Sequence, residues 1–129
     1  MSIIANIVVG VIALLHVYIL VLEMFLWDKP AGLRAFGQSL EAATASKVLA
    51  ANQGLYNGFL AAGLFWGLLL GEQGSGVKLF FLGCVLVAGL YGAATANRKI
   101  LFIQAIPAAI GLLLVWLACS GHWVLVRFA

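Results

Sequence analysis

The stretch Asn52-Gln53-Gly54-Leu55-Tyr56-Asn57 is the most polar part of an apolar run, Lys47 to Leu70, that is long enough to cross a bilayer. Three carboxamides and a phenol in such a run cost free energy unless each finds a hydrogen-bonding partner. Two further polar residues, His16 and Glu23, interrupt the preceding apolar run. We therefore expect these side chains to meet, and the fold to be a small membrane bundle built around their meeting place.

The composition is typical of an integral membrane protein. Of the 129 residues, 65% are hydrophobic and only 9% are charged, and the mean hydropathy is +1.16. Soluble domains contain about 45–50% apolar residues, and so few charges could not cover the surface of a soluble fold. The Lys and Arg residues are scattered between apolar runs and form no basic face, so we expect no nucleic-acid partner.

Four apolar runs predict four transmembrane helices in a single integral membrane domain, 1–129, of all-α class. The predicted spans are about 3–27, 47–70, 77–96 and 100–120, arranged as an up-down-up-down four-helix bundle. The connection after the first span is the only long one. Its apolar residues Leu33, Phe36 and Leu40 recur at helical spacing, which favours a short interfacial helix over an irregular loop.

The cationic residues predict the orientation of the chain in the membrane. The first and third connections hold five of them and the other side holds two: Lys29, Arg34, Lys47, Arg98 and Lys99 against Lys78 and Arg127. Cytoplasmic loops carry an excess of Lys and Arg. We therefore expect a multi-pass protein of the bacterial inner membrane with both termini on the periplasmic or extracellular side.

Polar side chains of different helices are predicted to lie at a similar depth. Glu23 is about four residues inside the first span, Asn52 and Gln53 are about five inside the second, and Gln104 is about four inside the fourth. At 1.5 Å per residue this is roughly 6–8 Å below the cytoplasmic rim. The predicted ligand-binding set is completed towards the midplane by His16, Tyr56, Asn57 and Tyr91.

His16 and Glu23 lie on one face of the first helix, about 20° apart, and are the candidate acid and base of any catalytic chemistry. Each also has a purely structural interpretation. Glu23 could pair with Lys47 or Arg98, and His16 could bond a neighbouring helix. The carboxamides could likewise be interhelical hydrogen bonds that only hold the bundle together.

Metal and disulfide chemistry receive no support from the sequence. Cys84 and Cys119 fall in separate apolar runs, where free thiols pack well, so we expect two unpaired cysteines. No Cys-x-x-Cys or His-x-x-x-His spacing occurs. We therefore expect no metal ion and no cofactor.

The chain resembles a widespread bacterial family of small four-helix membrane proteins of unknown function. The resemblance covers nearly the whole chain and rests on the stretch from His16 to Glu23, on Asn52-Gln-Gly-Leu-Tyr-Asn57, and on the polar end of the third span near Asn97. It implies a membrane-embedded four-helix fold and transfers no catalytic assignment.

Three functions remain open on the sequence. The first is a protein that binds a small amphipathic or cationic molecule from the cytoplasmic leaflet. It could be a proton-coupled transporter, acting as a homodimer, in which Glu23 exchanges a proton for substrate. The second is a membrane enzyme that uses Glu23 and His16 on a lipid, isoprenoid or quinone-like substrate. The third is a structural or accessory membrane subunit.

Overall fold

The computed structural model describes the backbone of residues 2–127 and the side chains of residues 2–121. Within this part of the chain the regular elements are all helical, which confirms the predicted all-α class. They are α1 (Ile3–Phe25), α2 (Pro30–Phe36), α3 (Leu40–Leu69), α4 (Ser75–Thr95) and α5 (Ile106–Arg127). A 3-10 turn, Gly71–Gly74, precedes α4, and a π-helical turn, Leu101–Ala105, precedes α5. The side chain of Arg127, counted in the predicted orientation, lies outside the described residues.

Three of the described segments are long and apolar enough to cross a membrane. They are Ile3–Phe25, Gly71–Thr95 and Leu101–Gly121. The 30 residues of α3 would measure about 45 Å, which exceeds the thickness of a bilayer core. However, the carboxamides of its middle section lower its hydropathy, and it is not among the three. The chain is thus a helical protein with membrane-compatible segments.

The long connection is more helical than the predicted spans suggest. The short helix α2 begins with Pro30, whose fixed φ suits the first helical position, and ends at Gly37, which adopts φ 62° in the left-handed region. Helix α3 then begins at Leu40, before the predicted start at Lys47. Ser39 explains this early start, because its Oγ accepts a hydrogen bond of 3.1 Å from the backbone N–H of Ala42 and so caps the helix.

Residues 14–61 form one compact unit, which contains the end of α1, all of α2 and the first part of α3. Three contacts hold its connection together. The rings of Trp27 and Phe36 are 4.7 Å apart, the Trp27 indole N–H donates to Ser46 Oγ at 3.1 Å, and Lys47 Nζ donates to Asp28 Oδ2 at 2.9 Å. The turn that joins α1 to α3 is therefore fixed by side chains as well as by backbone.

A second compact unit combines the start of α1 with the chain that follows residue 61. Its core includes Leu64, Leu82, Val85 and Val115, all fully buried. Gly89 of α4 lies against the backbone of the π-helical turn, since a Cβ on Gly89 would be 2.8 Å from the Ala105 nitrogen. Cys84 and Cys119 are free and half-buried, as the sequence predicts for unpaired thiols.

The π-helical turn lies where the sequence interrupts normal helical bonding. Pro107 has no N–H to donate to the carbonyl four residues earlier. Next to it, the N–H of Ile106 donates to the carbonyl of Leu101, five residues before it, where an α-helix would use the carbonyl four residues before it. The turn is therefore one residue wider than an α-helical turn.

We predict that Gly89→Ala lowers the free energy of unfolding by about 1–3 kcal/mol, because the added methyl group meets backbone atoms that cannot rotate away. Gly83→Ala in the same helix is the matched control. A Cβ at Gly83 meets nothing within 4 Å, so this change should be neutral or stabilising through helix propensity. Thermal unfolding of the purified protein in detergent measures both, and equal stability of the two variants would contradict the close contact.

The ion pair between Asp28 and Lys47 should make stability depend on pH. The hydrogen bond from Lys47 lowers the pKa of Asp28 below its ordinary value of 3.8. Because this pKa is lowered by folding, the stabilisation is present above the ordinary value and is lost as the pH falls through the folded value. We expect Lys47→Met to have a lower melting temperature than the unchanged protein at pH 7. The two melting temperatures should converge as the pH falls below 3.8.

Lys99→Met removes an exposed lysine from another connection and serves as the control for the loss of one positive charge. Its melting temperature should follow that of the unchanged protein at every pH. A deficit of Lys47→Met that persists undiminished in strong acid would show that Lys47 acts through packing and not through Asp28.

Candidate functional site

Glu23 and Asn57 are the two predicted site residues that contact each other directly. Asn57 Nδ2 donates to Glu23 Oε2 at 2.8 Å and also to the backbone carbonyl of Gln53 at 3.1 Å. Both side chains are half-buried. A carboxylate held by one amide N–H retains a second oxygen that can accept from, or pair with, another group. The contact therefore joins the last turn of α1 to the middle of α3 and leaves binding capacity in place.

Glycines in α3 make this contact possible. A Cβ at Gly54 would lie 2.6 Å from Met24 Cγ and 3.0 Å from Glu23 Cβ, and a Cβ at Gly58 would lie 2.6 Å from Leu20 Cδ1. Two glycines four residues apart occupy one helix face, so α1 and α3 approach closely along it. Asn57 stands between them in sequence, and its short side chain can span the remaining gap.

The other polar groups of the Asn52–Asn57 stretch point to the surface. Asn52 is exposed, and its Nδ2 donates to the carbonyl of Val48 in its own helix at 2.9 Å. Gln53 is also exposed, and Tyr56 is 55% exposed with its ring 6.2 Å from that of Phe59. Helix geometry explains the division, because Asn52 and Asn57 are about 140° apart around the axis and cannot share one contact. Only Asn57 faces Glu23.

His16 lies in the same compact unit as Glu23, and its side chain is fully buried. It is the only His within residues 2–121. A buried imidazole in an apolar helix is a hydrogen-bonding group with a titratable nitrogen, whichever role it serves.

Tyr91 and Gln104 belong to the other compact unit. Gln104 Nε2 donates to the carbonyl of Val85 at 3.3 Å, so it ties the π-helical turn to α4. Tyr91 is 72% exposed and borders an open apolar groove of about 770 Å³ on α4, with Phe80 and Gly83 among its other lining residues. Gln104 therefore contacts α4, Tyr91 belongs to α4, and the place of both in the ligand-binding set remains a sequence prediction.

Sequence reasoning missed the burial of a lysine side chain in the described part of the protein. Lys78 was counted only among the cations of one side of the membrane, yet its side chain is fully buried at the start of α4. Its Nζ donates to Asn6 Oδ1 at 3.2 Å and to the Gly71 carbonyl at 3.1 Å. The sequence offers one signal. Lys78 follows the glycine-rich stretch 71–76 by only two residues, so it could lie either in the loop or in the buried start of the next helix.

Comparison with known proteins gives a family but no activity. The model of the family described as Protein of unknown function (DUF1304) matches residues 10–116. The chain is 34% identical over 116 residues to the Uncharacterized protein YpaA of Lactococcus lactis subsp. lactis (strain IL1403), a match that covers 88% of this chain and 97% of the relative. No solved structure matches. The chain is a member of the DUF1304 family of proteins of unknown function.

Proposed function

We propose that this chain is an integral protein of the bacterial inner membrane that binds a small amphipathic or cationic molecule at Glu23 and Asn57. The observation that carries the proposal is the contact of 2.8 Å between the Glu23 carboxylate and the Asn57 amide. Glu23 is the only charged residue of α1, a helix otherwise apolar enough to span a membrane. Ionisable residues in such helices are costly and commonly functional.

The proposed membrane arrangement is the predicted up-down-up-down four-helix bundle in one domain. Helices α1, α4 and α5 would cross with α3 as the fourth span, because its length exceeds the bilayer core even after the turns that precede Lys47 are set aside. Helix α2 would then lie at the cytoplasmic interface. Its neighbours Trp27 and Lys29 are residue types enriched at such interfaces.

The burial of Lys78 strengthens the proposed orientation. An ammonium held inside the protein is not available to anionic headgroups, so Lys78 should not be counted among the surface cations. Five exposed cations lie in the connections after α1 and α4 or in the first turns of α3: Lys29, Arg34, Lys47, Arg98 and Lys99. The contrast in surface charge between the two sides therefore increases, and it favours a cytoplasmic location for these connections.

The chemistry of the site suits a cation with an apolar body. The carboxylate of Glu23 supplies a negative charge, and Asn57 keeps one of its oxygens in place. Gln53, about 40° from Asn57 around α3, adds an exposed amide. Leu20 and Met24 add apolar surface beside the two glycines of α3. A cation that binds the ionised form of Glu23 competes with a proton for the carboxylate, so binding and proton release would be coupled. This coupling is the basis for proton-linked transport.

The test is binding of tetraphenylphosphonium, a lipophilic cation, to the protein in lipid nanodiscs. We predict that Glu23→Gln weakens binding by about tenfold or more, because it removes the charge but keeps the shape of the side chain. In weakly buffered solution the unchanged protein should release protons on binding, and Glu23→Gln should release none.

Glu41→Gln is the matched control, since Glu41 is an exposed carboxylate in the first turn of α3. Its affinity for tetraphenylphosphonium should equal that of the unchanged protein. If Glu23→Gln binds as tightly as Glu41→Gln, then Glu23 is not the cation site and the proposed function is wrong.

A further inference from the structure

Lys78 connects three elements through its ammonium group. The lysine itself lies in the first turn of α4, its acceptor Asn6 lies in the first turn of α1, and the second acceptor is the carbonyl of Gly71 in the turn that follows α3. All three belong to one compact unit. The hydrogen bonds are 3.2 and 3.1 Å long, and the lysine side chain is fully buried.

Three glycines shape the space that the lysine occupies. A Cβ at Gly67 would be 2.7 Å from Lys78 Cγ, so any side chain there would displace the lysine stem. Gly74 packs directly against the carbonyl of Gly67, which brings the turn against α3. Gly71 adopts φ 61°, a left-handed conformation that favours glycine, and its carbonyl accepts from the ammonium. The turn is therefore fitted to the lysine.

A buried ammonium strongly constrains the elements around it. Its hydrogen bonds are worth more than neutral ones, because one partner carries a full charge in apolar surroundings. The start of α1 can move away from the turn only if Asn6 releases Lys78. Asn6 and Glu23 lie at opposite ends of α1.

We propose that Lys78, Asn6 and the Gly71 carbonyl form a latch that keeps the first turns of α1 and α4 closed to water, and that release of Asn6 from the ammonium opens them. In a transporter, access alternates between two sides of the membrane. The latch would be a gate at the start of α1, and this role as a gate rests on the proposed function. The closure itself does not require any ligand.

Cys119 provides a native probe of the latch, because it is half-buried in α5 and belongs to the same compact unit as Lys78 and Asn6. In a Cys84→Ser background, Cys119 is labelled in proteoliposomes with a charged, impermeant maleimide and, separately, with a small neutral maleimide. The ratio of the two rates measures access of water and cancels changes in the intrinsic reactivity of the thiol. Lys78 stays in place throughout.

Asn6→Leu removes the acceptor and should raise the ratio by about tenfold, the factor expected for loss of one hydrogen bond to a charged group. Asn6→Asp replaces it with a carboxylate that pairs with the ammonium, and it should lower the ratio. Thr44→Leu, at an exposed position whose hydroxyl bonds a carbonyl of its own helix, should leave the ratio unchanged.

An unchanged ratio in Asn6→Leu, even with a lower melting temperature, would show that the contact is only structural and would overturn the latch. If Asn6→Leu does not fold, Asn6→Asp decides alone, and a ratio equal to or above that of the parent protein overturns the proposal. If Glu23→Gln binds tetraphenylphosphonium as tightly as the unchanged protein does, the proposed function is refuted, and the labelling result is not affected. The two failures are therefore distinguishable.

Discussion

Close approach of helices at glycine is the constraint on which the polar contacts of this protein depend. The Asn57 amide reaches Glu23 beside Gly54 and Gly58, and the stem of Lys78 lies over Gly67. In the same way, Gln104 bonds α4 in the region where Gly89 touches the π-helical turn. Polar side chains such as Asn are short, and in apolar surroundings they need a partner within hydrogen-bond distance. Glycine lets the backbones come close enough for them to find one.

Much of the fold could be predicted from the sequence because the responsible signals are local. Long apolar runs indicated the helices, with bounds a few residues from those observed except at the start of α3 and at the end of α5, which continues to Arg127. Helical spacing in the first connection indicated α2. The early start of α3 was missed. The cap that sets it depends on a single serine oxygen at Ser39, and the charged and small residues that follow resemble a loop.

The candidate site was only partly predictable, because depth along a helix can be counted but the choice of partner cannot. The residue count placed Glu23 and the carboxamides at a similar level, yet it gave no reason to prefer Asn57 over Asn52. That choice depends on which face of α3 turns towards α1, and Gly54 and Gly58 determine it. Lys78 escaped prediction for the same reason, since its burial depends on a turn whose three-dimensional course is not a local property.

The π-helical turn at Leu101–Ala105 has a geometric consequence for the whole of α5. A turn that closes over five residues instead of four accommodates one additional residue, and each residue corresponds to a rotation of about 100°. Every side chain after the turn therefore points about a quarter of a circle away from where an uninterrupted helix would aim it. Apolar residues occur on all sides of α5, so its sequence alone does not identify the side that faces the core. A single residue in a five-residue turn thus selects which face of the last helix, including Gly111 and Val115, packs into the core.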